Sequence, residues 1–264
     1  MRWLGMVVGM VLAAEAAQAV ELNGRLEQGG LVQGQVRPGA DIRLDGRTVP
    51  TDAEGRFLLG FGRDAPERAQ LEVDGERQEL AVAKRAWKVQ RIEGLPPAKV
   101  SPDPAELARI KAENELVAAR RAVVTPIARF RSGLSSPADG PVSGVFGSQR
   151  VLNGEARAPH SGTDIAAPTG APVRAVADGV VTLVHPDMFF TGITVMVDHG
   201  LGLQSVYAHM SRADVTEGAE VKRGQAIGAV GASGRATGPH LHWGLSWLDV
   251  RLDPEAGLAA LETH

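Results

Sequence analysis

From Val20 to Ile92 the chain runs in short alternations of apolar and polar residues, each closed by turn chemistry. Ile42-Arg43-Leu44 precedes Asp45-Gly46, Phe57-Leu58-Leu59 follows Glu54-Gly55, and Leu71-Glu72-Val73 precedes Asp74-Gly75. A period of two predicts half-buried strands, and Asp-Gly predicts tight hairpins because both residues tolerate positive φ. Residues 20–92 are therefore expected to form a small, sandwich-like antiparallel β domain. The pattern changes at Glu93-Gly94-Leu95-Pro96-Pro97, and Asp103 to Ala122 is free of glycine and rich in Ala, Glu, Leu and Arg. Ser101 is the expected N-cap, prolines sit near the first turn, and Leu107, Ile110 and Val117 form a narrow apolar stripe. Residues 93–125 thus read as a linker with a connecting helix that docks on another surface.

Beyond Pro126 the short apolar segments return: Val142 to Phe146, Pro172 to Val176, Val180 to Val184, Ile193 to Val197, Leu203 to His209, Ala226 to Val230 and His240 to Leu245. With no long helical pattern between them, they predict an antiparallel sheet over residues 126–258, and a mainly β chain. The 32 glycines and 16 prolines supply the turns such a fold needs.

Residues 1–19 follow a different rule. Arg2, an apolar run from Leu4 to Ala14 and the small-x-small sequence Ala17-Gln18-Ala19 form an export signal, removed at residue 19. The run is too short to span a bilayer, so no permanent membrane anchor is expected. The mature protein is placed outside the cytoplasm. With 28 Lys+Arg against 31 Asp+Glu, the net charge of −3 carries no basic footprint for nucleic acid. Cysteine is absent, which excludes disulfides, thiolate nucleophiles, Cys-ligated zinc and a lipid-modified cysteine. Gly231-Ala232-Ser233-Gly234 lacks the Gly-x-Ser-x-Gly spacing of a serine nucleophile elbow.

Four of the seven histidines gather with one aspartate in suggestive patterns. His160 and Asp164 are four apart in a Pro- and Gly-bearing stretch, expected to be a loop or turn rather than a helix. In His240-Leu241-His242 the two imidazoles share one strand face and Leu241 takes the other; Tyr207 and His209 are expected to share a face by the same rule. Catalytic zinc takes three nitrogen or oxygen ligands and keeps a fourth position for water. Three ligands leave two histidines as base, acid or hydrogen-bond donor, roles that suit a group of pKa about 6.5. His185, His199 and His264 fall outside these patterns, and His199 reads as part of a turn before Gly200.

His160-x-x-x-Asp164, Tyr207-x-His209 and His240-x-His242, in that order and framed by glycines such as Gly162, Gly179, Gly228 and Gly238, resemble the lysostaphin-type (LytM-type, M23) zinc peptidases of bacterial cell walls. The likeness covers about residues 140 to 255. It implies one zinc ion per chain held by His160, Asp164 and His242, with His209 and His240 as catalytic residues that do not ligate it. It also implies a peptidoglycan substrate and hydrolysis of stem or cross-link peptide bonds, while the cleavable signal and the missing lipid-attachment cysteine point to the periplasm. Arg150, Asn153 and Arg157 are candidate oxyanion donors, or else residues that bond a turn. A different reading of the same module is a catalytically inactive regulator that activates a wall amidase; such modules lose site residues, and all five are present here. Bond specificity, the role of residues 20–92 and oligomeric state are not legible.

Overall fold

The computed structural model describes residues 20–94 and 102–262, so the expected export signal, Ser101 and His264 lie outside the described residues. Two small sheets build the N-terminal β region. One joins Leu22–Gly24, Leu31–Gln35 and Arg56–Gly60; the other joins Arg47–Thr48, Ile42–Leu44, Arg68–Val73 and Glu76–Ala81. In Ile42–Leu44 the outer residues are buried and Arg43 is exposed, as alternation requires. Both Asp-Gly pairs turn with positive φ, 49° and 79° at Asp45-Gly46 and 52° and 89° at Asp74-Gly75.

The connecting helix runs from Pro104–Ala122, and Asp103 caps it in place of the expected Ser101. Asp103 Oδ1 accepts the Glu106 N–H at 2.9 Å while Glu106 Oε2 accepts the Asp103 N–H at 3.0 Å. This reciprocal box satisfies two otherwise orphaned donors, and Pro104 loses nothing at a position whose N–H has no helical partner. The packed side also differs from the expected stripe. Leu116 and Val117 pack on Leu183, Met188, Met196 and Val206, whereas Leu107 is 54% exposed.

The C-terminal part is an antiparallel sheet. Its main path runs Glu220–Val221, Gly179–Met188, Gly192–Gly200, Leu203–Ala213, His240–Trp247, Thr163–Ala166 and Val142–Gly144. Every neighbouring pair is antiparallel. Asp164 therefore sits in a strand, not in the expected loop, because its segment is pinned between two neighbours.

One apolar core runs through both regions and holds Leu31 and Phe57 together with Trp243 and Trp247. Gly60 lies so close to Trp247 that a Cβ there would stand 2.9 Å from the Trp247 Cβ. Trp87 meets Phe146 edge-on at 5.8 Å, and Arg85 pairs with Asp253 at 2.8 Å. Val89–Ile92 then lies parallel to Gln149–Leu152, with Gln90 opposite Arg150. Among the described residues no helix is long and apolar enough to cross a membrane.

His199 is not in a turn: it is fully buried near the end of Gly192–Gly200. Its Nδ1–H donates to the Asp178 carbonyl at 2.8 Å, and Nε2 lies 2.7 Å from Ser205 Oγ, which continues to the Tyr207 hydroxyl at 2.9 Å. Burial lowers the His199 pKa below its ordinary value of 6.5. The unfolded chain then binds a proton that the native state refuses, so stability is full above about pH 6.5 and is lost as pH falls below it. Thermal melting of the metal-free protein between pH 7.5 and 5.5 should show this slope, and His199→Gln should flatten it; an unchanged slope would remove His199 as a contributor.

Candidate metal centre and cleft

Strand register assembles the centre. Asp164 pairs directly with His242, and Ala166 with His240, so these residues project from the same face of the sheet. Leu241 and Trp243 point the other way and are fully buried. His160 comes from the segment before Thr163–Ala166, where its backbone N–H bonds the Ser148 carbonyl at 2.9 Å. Gly162 permits the approach. A Cβ there would lie 2.3 Å from the Trp243 carbonyl oxygen.

His209 reaches the centre by breaking the alternation. Tyr207 pairs with Trp243 and Ala208 with His242, so simple alternation sends both Tyr207 and His209 into the core. Tyr207 does go there, and its hydroxyl accepts the Val176 N–H at 2.9 Å. The register shifts between Ile193 and Val195, a bulge that sets Ala208 and His209 opposite Thr194 alone, and His209 takes φ 60°. The bulge and the left-handed backbone re-aim the ring toward His240, 4.8 Å away between ring centres. The expectation of a shared Tyr207/His209 face is thereby corrected.

His160 Nε2, Asp164 Oδ1 and His242 Nδ1 form a triangle with sides of 3.0, 2.8 and 3.1 Å. Two tetrahedral ligands with bonds of about 2.0–2.2 Å stand about 3.3–3.6 Å apart, so an opening of several tenths of an ångström admits zinc. Two imidazoles and one carboxylate suit zinc better than the oxygen-seeking calcium or magnesium. Burial works against the Asp164 charge, but the close ring nitrogens of His160 and His242 hold its carboxyl well below the usual range. Burial also lowers His242, so a neutral ring and an ionised carboxylate are ready for a cation.

Second partners fix which nitrogen faces the site. A carbonyl can only accept, so each ring nitrogen beside one carries the proton. His160 Nδ1–H donates to Val145 at 3.1 Å, His209 Nδ1–H to Ser233 at 2.8 Å, and His240 Nδ1–H to Gly238 at 2.8 Å. In the neutral form each of these rings keeps a bare Nε2. Burial, reinforced by His242 and His240, pulls His209 down to about 3. His240 Nε2 stands 3.9 Å from Asp164 Oδ1, beside the triangle rather than in it.

A cavity of about 310 Å³ opens over this face, lined among others by His209, His240, Asp164 and Arg150, with Gln90 and Ile92 on its wall. Arg150 Nη2 lies 3.6 Å from Asp164 Oδ2. Asn153 is exposed at the turn after Gln149–Leu152, with φ 48°, and lines neither this cavity nor its neighbour under the helix. The Arg157 side chain reaches Glu155. Of the three candidate donors, only Arg150 faces the site. Sequence reasoning missed Arg235, which shares both cavities, and Ser233, whose carbonyl orients His209; the Gly231–Gly234 loop was the available signal, discarded with the serine nucleophile.

Gly144 packs against the centre from the next strand, and a Cβ there would meet Asp164 Oδ2 at 2.3 Å. Gly144→Ala should displace the carboxylate and weaken zinc binding by about 10- to 100-fold, the usual cost of disturbing a ligand's support. Competition against a chromogenic chelator measures this, and unchanged affinity would show that the carboxylate is not held in a binding position.

The whole is a candidate metal centre of clustered histidines and one carboxylate at an open cleft on an antiparallel sheet. The family model for peptidase family M23 matches residues 158–254. A crystal structure from Pseudomonas aeruginosa that carries the peptidase M23 name is 32% identical and superposes with a TM-score of 0.71, covering 90% of this chain and 96% of that one. The chain belongs to peptidase family M23. Two curated relatives match a shorter stretch: the DD-carboxypeptidase/endopeptidase Mpg of Neisseria meningitidis, 49% identical over 84 residues, and the peptidoglycan DD-endopeptidase ShyA of Vibrio cholerae, 47% identical over 90. The matches cover 32% and 33% of this chain, and only 19% and 20% of those relatives.

Proposed function

We propose that the protein is a zinc-dependent endopeptidase that hydrolyses peptide bonds in peptidoglycan stem or cross-link peptides outside the cytoplasm. The observation that carries this reading is the pairing of a three-donor triangle with two further histidines whose bare Nε2 atoms face the same face. His160, Asp164 and His242 would hold one zinc ion. Zinc in such a set supplies Lewis-acid chemistry, polarising an amide carbonyl and acidifying water.

The remaining work falls to the protein's own groups. His209 and His240, whose Nδ1 carries the proton in the neutral ring, can take at Nε2 the proton that leaves the attacking water. Once protonated, the same nitrogen can pass it to the departing amine as the C–N bond breaks. The imidazolium also stabilises the negative charge that builds on the former carbonyl oxygen. Arg150, against Asp164, positions the carboxylate rather than the substrate. Gln90 and Ile92 form part of the cleft wall over the same face.

Digestion of purified sacculi with the mature protein, read by mass spectrometry, tests the reading and names the bond. New amino termini, abolished by a chelator and restored by zinc, are expected. Their absence with the zinc-loaded protein would overturn it in favour of the amidase-activating module.

A further inference from the structure

A second cavity, of about 390 Å³, lies between the connecting helix and the sheet and shares His209 and His242 with the metal centre. Four arginines line it: Arg121 from the last turn of the helix, Arg150, Arg235, and Arg251 from the strand after His240–Trp247. Its one carboxylate is already used. Glu113 accepts Arg109 Nε at 2.7 Å and the Phe189 N–H at 2.9 Å.

Arg121 is the telling residue. It is only 7% exposed, its Nε has no acceptor, and it forms no ion pair among the described residues. Burial and the neighbouring Arg251 pull its pKa down to about 9, which still leaves it charged at neutral pH. Arg150 Nε is likewise buried without an acceptor. Arg235 stacks over Phe190, 4.2 Å from the ring centre, and feels the repulsion of Arg150 and Arg157. A buried charge without a counter-charge is costly, as at Arg121, and a planar guanidinium beside further arginines is suited to a carboxylate. A favourable helix dipole explains a basic residue at the last turn, but that arrangement keeps its charge at the surface and does not bring a second arginine against it.

We infer that this cavity is an anionic subsite in which Arg121 and Arg251, with Arg235 nearer the chemistry, hold a free carboxylate of the peptide being cleaved. This rests on the endopeptidase reading and adds a substrate class to it: stem peptides with free side-branch carboxylates, as opposed to amidated ones. Charge complementarity selects here, because amidation removes the charge and adds donors that face donors.

The test uses a soluble cross-linked stem-peptide dimer with free carboxylates and its amidated twin, each with the zinc-loaded full chain. Wild type should show a KM about tenfold lower for the free acid, with kcat alike. Arg121→Gln should raise KM about tenfold for the free acid alone, and Arg121→Lys should recover much of it. Calorimetric titration of both peptides into the His240→Ala protein reads the same preference without turnover. Equal KM and equal affinity for the twins would overturn the subsite and leave the endopeptidase reading intact. Equal losses on both twins in Arg121→Gln would make Arg121 structural and likewise overturn it. If wild type cleaves neither twin, the endopeptidase reading fails, and the titration still decides the subsite: preference for the free acid supports it, and no preference overturns it.

Discussion

Replacing His240 by alanine should leave fold and zinc in place while turnover on cross-linked peptidoglycan falls by about 10² to 10⁴-fold, the usual share of a general acid–base group. The geometry separates the two roles on one strand face. His242 Nδ1 is 2.8 Å from Asp164 Oδ1, whereas His240 Nε2 is 3.9 Å away and its Nδ1–H is tied to Gly238. His240 can therefore reach water or the developing oxyanion without closing the coordination sphere. His209→Ala should behave alike, and the double mutant should lose little more than either single if the rings act as one unit. Metal analysis beside turnover decides the matter. A zinc-free His240→Ala protein would make His240 a ligand, and a zinc-loaded one with near-normal turnover would end its catalytic assignment.

The larger effect is expected at Asp164. Its carboxylate is the only negative charge in the triangle and lies within 3.0 Å of both ring partners' nitrogens. Asp164→Ala should release zinc at chelator concentrations that spare the wild type and reduce activity to background. It also leaves Arg150, 3.6 Å from Oδ2, facing an empty position. Removing one partner of a buried charge pair typically costs about 3–5 kcal/mol, so a lower melting temperature should accompany the loss. His160→Ala and His242→Ala should lose the metal without that charge penalty. Full zinc occupancy in any of the three would remove that residue from the proposed ligand set.

Much of this was legible because strand periodicity is a strong local signal. His240 and His242 flank Leu241, and the structure puts the histidines at the centre and the leucine in the core. The Asp-Gly hairpins were equally plain. What escaped was set by tertiary structure. No local pattern announces that His209 is turned by a bulge against Thr194, or that Asp164 is drawn into a strand by two partners. Asp103 capped the helix because Glu106 could answer it across one turn, a box the choice of Ser101 overlooked. Arg121 looked like any basic residue at a helix end until folding buried it beside Arg251.

The backbone of His209 bears on how this fold changes over generations. A non-glycine residue at φ 60° carries a conformational cost of about 1 kcal/mol or more, and here the ring is buried as well. Asparagine or glycine would occupy that backbone more comfortably and would also remove the imidazole. Mutational drift at this one position is therefore biased: the substitutions that silence the chemistry are the ones that relax the chain. On the catalytic role proposed for His209, selection for activity would have to hold it against that bias. Once selection eases, a stable inert scaffold is a single codon's step downhill.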